Sequence, residues 1–266
     1  MTAVGRGTGQ PRRAVVGGLL GVAVVAYAGG VRPRMLRWGA TDDEVVAPFP
    51  GATIVPGGVR GATMAATLDA PPERVWSWLV QMGHDRAGWY SWDRLDNFGQ
   101  RSSWSLHPEW QRVGLGDRLA ATPDGTQSWE IAAFEPPRFL ALRMSLDLRG
   151  RPFDPTGEPP ARYTDSTWGF LLSELPGGRT RLVVSGYWAF RPRWLRPLLS
   201  VLLLEPSHWL MQTRQFTNLR RRVGRAPAPT GITLPEIVGG TPPRGASRSS
   251  PGRTRGHPRA SAARTE

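Results

Sequence analysis

The stretch RGATMAATLDAPPERVWSWLVQM, residues 60–82, decides the fold because an alternating strand in it runs directly into a proline-initiated amphipathic helix. In its first half, small and apolar side chains fall on one face at a period of two, which predicts a half-buried strand over 62–68. Asp69 or Ala70 can cap the following helix, whose first turn tolerates two prolines because the N–H groups they lack are unpaired there anyway. At spacings of three and four, one helix face is formed by Val75, Trp78, Leu79 and Met82.

The turn between the two elements, D-A-P-P-E-x-V-W at 69–76, resembles the opening of the SRPBCC superfamily, the START and birch-pollen-allergen type of helix-grip domain. The resemblance implies an α+β fold in which a curved antiparallel sheet wraps around a long C-terminal helix. Such domains usually hold apolar ligands. The string R-W-G-A-T-x-x-E at 37–44, followed by Pro50-Gly51, is also similar to the bacterial polyketide cyclase/dehydrase-like subgroup.

The composition supports one globular domain with additional segments. Eleven of the 12 tryptophans lie between Trp76 and Trp209, which indicates a single core over 60–224. The chain has no cysteine, which excludes disulfides, thiolate nucleophiles and cysteine metal sites. All 34 basic residues are arginine, so the net charge of +13 reflects a GC-rich genome, such as an actinobacterial one, and no nucleic-acid partner is expected. Residues 225–266 are rich in Pro, Gly, Ser and Arg and are expected to form a disordered basic tail.

The N-terminus predicts a membrane anchor. After a basic segment at 1–13, residues 14–31 carry no charge, and arginines follow at positions 32, 34 and 37. A helix of that length spans about 27 Å, enough for a thin hydrocarbon core. We therefore expect a single-pass protein of the cell membrane whose anchor precedes a connector at 32–59. The alternative is a cleaved signal peptide, since Ala26-Tyr27-Ala28 fits a small-x-small cleavage site.

Further strands and a long final helix complete the expected domain. Alternation and turn chemistry predict strands at 116–122, 128–134, 138–146, 167–175 and 180–190. A hairpin is expected at Pro-Gly-Gly 176–178, and a loop at 147–165. The apolar and basic segment 191–205 predicts an approach helix packed on the domain or, alternatively, a membrane-touching segment. Over residues 206–223, side chains at helical spacing form one face, which predicts the long C-terminal helix.

Residues 82–99, MGHDRAGWYSWDRLDNFG, interleave aromatic and polar side chains directly after the first helix. One hypothesis is a pocket rim, whose aromatic faces contact an apolar ligand while polar groups orient it. The alternative is that the two aspartates, Asp93 and Asp96, cap a helix turn while the aromatics fill the core. With the later His208, the ligand-binding candidates are Trp89, Tyr90, Trp92, Asp93 and Phe98.

The sequence offers little catalytic chemistry. It contains no H-E-x-x-H, G-x-S-x-G or P-loop string, so neither a metal nor another cofactor is expected. Glu205 and His208 form an i,i+3 pair that resembles the subgroup's last-helix motif, although such a pair is more often a structural hydrogen bond. The sequence favours a membrane-tethered domain that binds an apolar small molecule or lipid. The alternatives are a polyketide cyclase/aromatase-like enzyme using His208, Glu205 and Asp93, and a scaffold whose aromatics fill the cavity.

Overall fold

The computed structural model describes residues 18, 21–194, 197 and 199–224. The expected basic N-terminus, part of the apolar segment 14–31 and the expected tail at 225–266 lie outside the described residues. Within them, eight strands form one antiparallel sheet: β1 (Val59–Arg60), β2 (Met64–Leu68), β3 (Arg118–Ala120), β4 (Ser128–Glu135), β5 (Phe139–Asp147), β6 (Tyr163–Leu175), β7 (Arg179–Ser185) and β8 (Tyr187–Arg191).

The long strand β6 organises the sheet. One of its edges pairs with β5, which continues to β4 and β3. The opposite edge of β6 pairs with β8 near the start of the strand and with β7 over the rest of it. On their far sides, β8 pairs with β1 and β7 pairs with β2. The single strand expected at 180–190 is therefore two strands, separated at Gly186. A Cβ atom there would lie 1.9 Å from the Thr167 carbonyl oxygen, so only glycine allows this close approach.

Besides a helical stretch at residues 21–26, four α-helices accompany the sheet in the described part of the chain: α1 (Arg32–Leu36), α2 (Asp42–Val46), α3 (Pro72–Val80) and α4 (Glu205–Val223). Helix α1 continues a helix from residues 21–26 through a π-helical turn at Tyr27–Val31, and a second π-helical turn at Ser200–Leu204 leads into α4. A short 3₁₀ helix occupies Pro108–Trp110. No helix of the described part combines the length and hydropathy that a membrane crossing requires.

Helix α3 confirms the predicted apolar face but not the predicted cap. All four residues of that face are buried, and so is Trp76 on another side of the helix. The N-cap is Pro71, which makes no side-chain hydrogen bond, rather than Asp69 or Ala70. Its extended backbone places Pro72 at the first helical position, where a missing N–H costs nothing.

Both faces of the sheet are covered. On the inner face, side chains such as Met64, Leu142 and Phe170 pack with α3 and α4 in the main core. On the outer face, Phe139 and Val183 form a second cluster with Phe49 of the connector. The architecture is the expected α+β helix-grip fold, with the sheet wrapped around α4.

Candidate functional site

A cavity of about 500 Å³ lies between the inner face of the sheet, α4 and the loop at 89–98. That volume falls in the range of pockets for small-molecule ligands. Its wall contains four tryptophans, and the Trp168 ring packs at 5.8 Å from Trp89 and 5.7 Å from Trp129. These rings supply a broad apolar surface, which is completed by Trp188, Met144, Met211, Leu36 and Leu204.

A chain of hydrogen bonds holds the tryptophan wall in place. The Trp168 indole N–H on β6 donates to Gln212 Oε1 at 3.1 Å, and Gln212 Nε2 donates to Gln215 Oε1 at 2.8 Å. Gln215 Nε2 then donates to the Trp89 carbonyl oxygen at 2.9 Å. Both glutamines are buried on α4. The sheet, the last helix and the loop at 89–98 are thereby fixed to one another around the cavity.

The predicted rim residues separate into two groups. Trp89 and Phe98 line the cavity, and Phe98 is 59% exposed. Tyr90 does not line it, because its side chain points into the core, where its hydroxyl accepts a hydrogen bond from Gln81 Nε2 at 3.0 Å. Burial raises the pKa of that phenol.

The other two rim candidates also lie off the cavity wall. The Trp92 indole N–H donates to the Leu210 carbonyl oxygen at 3.2 Å, and the Arg214 guanidinium lies over the ring at 4.7 Å. Asp93 Oδ1 accepts hydrogen bonds from Asn97 Nδ2 and from both the amide and the hydroxyl of Ser102. Asp93 therefore stabilises the loop by accepting hydrogen bonds from it, as a capping residue would. Trp92 connects the same loop to α4.

His208 and Glu205 both line the cavity but do not form the predicted pair. Glu205 instead binds the Arg32 guanidinium with two hydrogen bonds, at 2.6 and 2.9 Å. Together with a bond from the Tyr27 hydroxyl to the Val201 carbonyl oxygen, this ion pair joins the N-terminal helix to the beginning of α4. Burial lowers the pKa of His208 to about 4, so the imidazole is neutral near pH 7.

The structure also places Asp96 on the cavity wall, a residue that the sequence offered either as a polar group of the rim or as a helix cap and that was not among the named ligand-binding candidates. Burial raises its pKa to about 6, and the nearby Ser91 hydroxyl opposes that rise. Neither carboxylate oxygen is accessible to solvent or makes a hydrogen bond of standard geometry within the described residues. No local signal distinguishes Asp96 from Asp93, which lies one turn earlier in the same loop.

Three wall tryptophans were also missed as site residues: Trp129, Trp168 and Trp188. The alternation of β4 and β6 could have indicated Trp129 and Trp168, since each lies two residues from a buried inner-face residue on the same strand. Across the described residues, no group of three or more metal-ligating side chains is assembled.

Comparison with known proteins gives likenesses only among solved structures. No protein-family model and no curated protein matches the chain. A protein from Mesorhizobium loti is 20% identical, with 60% of this chain and 96% of that chain covered and a TM-score of 0.36. CalU16 from Micromonospora echinospora is 17% identical, covering 62% and 84%, with a TM-score of 0.28. DynU16, of the dynemicin biosynthetic locus, is 16% identical, covering 59% and 46%, with a TM-score of 0.35. At these values the likenesses carry no information about a ligand or an activity.

Proposed function

We propose that this protein is an SRPBCC-type domain that binds an apolar small molecule or lipid in its cavity and is tethered to the cell membrane by residues 14–31. The observation that carries the proposal is the open volume of about 500 Å³ behind the tryptophan wall. A scaffold whose own aromatics fill the core would leave no such volume. An apolar ligand would gain about 25 cal/mol for each Å² of surface that it removes from water.

Filling the cavity tests the proposal. Ala62 lines the cavity, whereas Ala161 lies exposed on the loop after β5. We expect Ala62→Phe to weaken binding of the neutral fluorescent probe N-phenyl-1-naphthylamine by at least about tenfold, because the added ring occupies ligand space. Ala161→Phe makes the same chemical change outside the cavity and should leave affinity unchanged. Equal binding by both variants, or no binding by the unmodified protein, would contradict the proposal.

A second candidate function, catalysis of the cyclase/aromatase kind, is favoured by one observation. Asp96 and His208 both belong to the residues around the cavity, and burial displaces their pKa values in opposite directions, to about 6 and about 4. Proton transfer by Asp96 would require a movement of its loop that brings the buried carboxylate into the open space. Titratable groups with separated pKa values are the usual arrangement for proton transfer. Conversion of a linear poly-β-ketone to a cyclised product, with a loss on the order of 10²–10⁴ in rate for His208→Gln, would establish the enzyme instead.

A further inference from the structure

Both cationic side chains of the cavity wall are committed to partners within the protein. Arg32 is held by Glu205, as described above. Arg60 donates to the carbonyl oxygens of Ala47 and Glu44 at 2.5 and 3.0 Å, and to Ser185 Oγ at 3.2 Å. Its guanidinium therefore serves the connector rather than the cavity. An anionic ligand would have to compete with Glu205 for Arg32 and with three neutral oxygen acceptors for Arg60.

Most of the neutral polar groups in the wall are also engaged. The Trp168, Gln212 and Gln215 side chains form the hydrogen-bond chain already described. Thr167 Oγ1 accepts the Tyr187 amide at 2.9 Å, and Gln127 Nε2 donates to the Gly150 carbonyl oxygen at 3.0 Å. These bonds hold the side chains that form the wall in fixed orientations.

The carboxylate of Asp96 is closed off from the cavity space. Although the residue lines the cavity, both of its carboxylate oxygens are inaccessible to a water-sized sphere. An ammonium group is about the size of a water molecule, so it cannot reach these oxygens either. Because Glu205 is paired with Arg32, a cationic ligand finds no unpaired carboxylate among the described lining residues without movement of the loop that carries Asp96.

Among the titratable side chains that line the cavity in the described part of the chain, His208 is the one whose hydrogen-bonding groups are neither engaged nor closed off from the cavity space. Its ring is partly exposed into the cavity, and no hydrogen-bond partner for the imidazole is present among the described residues. A neutral imidazole offers one N–H donor and one nitrogen acceptor. A hydroxyl group can use either nitrogen, and a carbonyl group can accept from the N–H.

We infer that the cavity selects neutral apolar molecules bearing a single hydroxyl or carbonyl group, and that His208 recognises that group. The inference rests on the proposed function and names the ligand class of the same site. Charged head groups are disfavoured because a buried ion without a partner loses its hydration without compensation. The apolar remainder of the ligand lies against the tryptophan wall.

Competition among ligands that share one chain tests this selectivity. Full-length protein is loaded with N-phenyl-1-naphthylamine at pH 7.5, and decan-1-ol, decanoate and decylammonium are titrated as competitors. Decan-1-ol should displace the probe at concentrations at least about tenfold lower than either ion. Decane, which lacks a head group, serves as the reference for the apolar contribution.

Variants at position 208 then locate the recognition. His208→Leu should weaken the affinity for decan-1-ol by roughly three- to tenfold and leave the affinity for decane unchanged, because one hydrogen bond is lost while the apolar wall is kept. His208→Gln, which retains a donor and an acceptor, should preserve most of the affinity. His107→Gln is the matched control, because the His107 ring stacks on Trp110 at 4.2 Å and does not line the cavity.

The possible results separate the two proposals. Failure of the probe to bind would remove both of them. Probe binding with equal competition by all three ligands, or an equal effect of His208→Leu on decan-1-ol and decane, would overturn the inference and leave the proposed function standing. Tighter binding of decylammonium that is lost in Asp96→Asn would overturn it as well, in favour of recognition by the carboxylate.

Discussion

Two aspartates of one loop, three positions apart, experience opposite environments. The Asp93 carboxylate accepts three hydrogen bonds, two of them from Ser102. The Asp96 carboxylate lies buried beside Ser91 without a hydrogen bond of standard geometry within the described part of the chain. Burying an ionised carboxylate without such partners destabilises the folded state, whereas a well-bonded carboxylate stabilises it.

At pH 7.5, we expect Asp96→Asn to raise the free energy of unfolding by about 1–2 kcal/mol, a value below the full pKa difference because the amide that replaces the carboxylate also lacks hydrogen-bond partners in this buried position. The folded-state pKa of about 6 exceeds the usual 3.8, so proton uptake favours the folded state. The stability gained by Asp96→Asn over the unmodified protein should therefore decline as the pH falls through 6 and vanish near 4. Urea unfolding at several pH values measures this.

Asp93→Asn provides the matched control for that experiment. Because its carboxylate accepts three hydrogen bonds, we expect this variant to lose about 1–3 kcal/mol at pH 7.5. A destabilising effect of Asp96→Asn at pH 7.5, similar to that of Asp93→Asn, would show that Asp96 is bonded in the folded protein.

At the scale of elements, the connector at 32–59 closes what would otherwise be a free sheet edge and a bare sheet face. The amides of Thr63 and Ala65, at the outer edge of β2, donate to the carbonyl oxygens of Leu36 and Trp38 at 2.8 and 2.9 Å. A free edge strand invites pairing with other chains, so this cover suppresses aggregation. The close approach needs Gly39, where a Cβ would lie against the backbone of β2.

The ion pair between Glu44 and Arg181 holds the connector to β7, and the two carboxylate oxygens bind the guanidinium at 2.7 Å each. We expect Glu44→Gln to lower the free energy of unfolding by about 1–2 kcal/mol at pH 7. The hydrogen bond from Arg181 lowers the pKa of Glu44 below 4.5. The contribution is thus present above about pH 4.5 and is lost as the pH falls through the folded-state value.

Denaturant unfolding of the unmodified protein and of Glu44→Gln from pH 7 to pH 3 measures this effect. The difference between their free energies of unfolding should shrink as the pH falls. The exposed Glu174 on β6 gives the control variant Glu174→Gln, which makes the same chemical change away from the Glu44–Arg181 ion pair. A difference between Glu44→Gln and the unmodified protein that persists unchanged to pH 3 would mean that the ion pair is not the source of the effect.

At the scale of the whole molecule, exposed apolar side chains collect on two adjoining helical segments. Val24 and Val25 of the N-terminal helix are 64% and 72% exposed, and Leu202 beside the start of α4 is 69% exposed. The bond from Tyr27 to Val201 and the pair Arg32–Glu205 join these segments. Val24 and Val25 belong to the proposed tether at 14–31.

If this surface and the tether enter a membrane, the double variant Val24→Glu, Val25→Glu should shift full-length protein from the membrane pellet to the soluble fraction, since buried carboxylates oppose insertion. Val46→Glu, at a 78% exposed position on α2, is the control and should remain in the pellet. Recovery of the intact unmodified chain in the soluble fraction would refute the tether. Cleavage after Ala28 would establish the signal-peptide alternative.

Individual strands, helix α3 and one hairpin could be predicted from sequence because their signals are local, whereas the helix-grip arrangement of these elements was implied by the resemblance of residues 69–76 to the SRPBCC superfamily. The period-two alternation of β2, the prolines that begin α3 and the Pro-Gly-Gly hairpin between β6 and β7 each depend on neighbouring residues. Backbone sterics and burial on one face act over a few positions, so they leave a readable pattern. The break at Gly186 escaped notice because its cause, the Thr167 carbonyl, lies on another strand.

Membership of the cavity was decided only by tertiary structure. Adjacent Trp89 and Tyr90 look alike in sequence, yet one lines the cavity and the other is buried in the core. Glu205 pairs with Arg32, 173 positions away, rather than with His208 on its own helix. Periodicity assigns a residue to one face of a strand or helix. Which face encloses the cavity, and which charged side chains meet, depends on how elements distant in sequence pack together. No local sequence pattern encodes that packing.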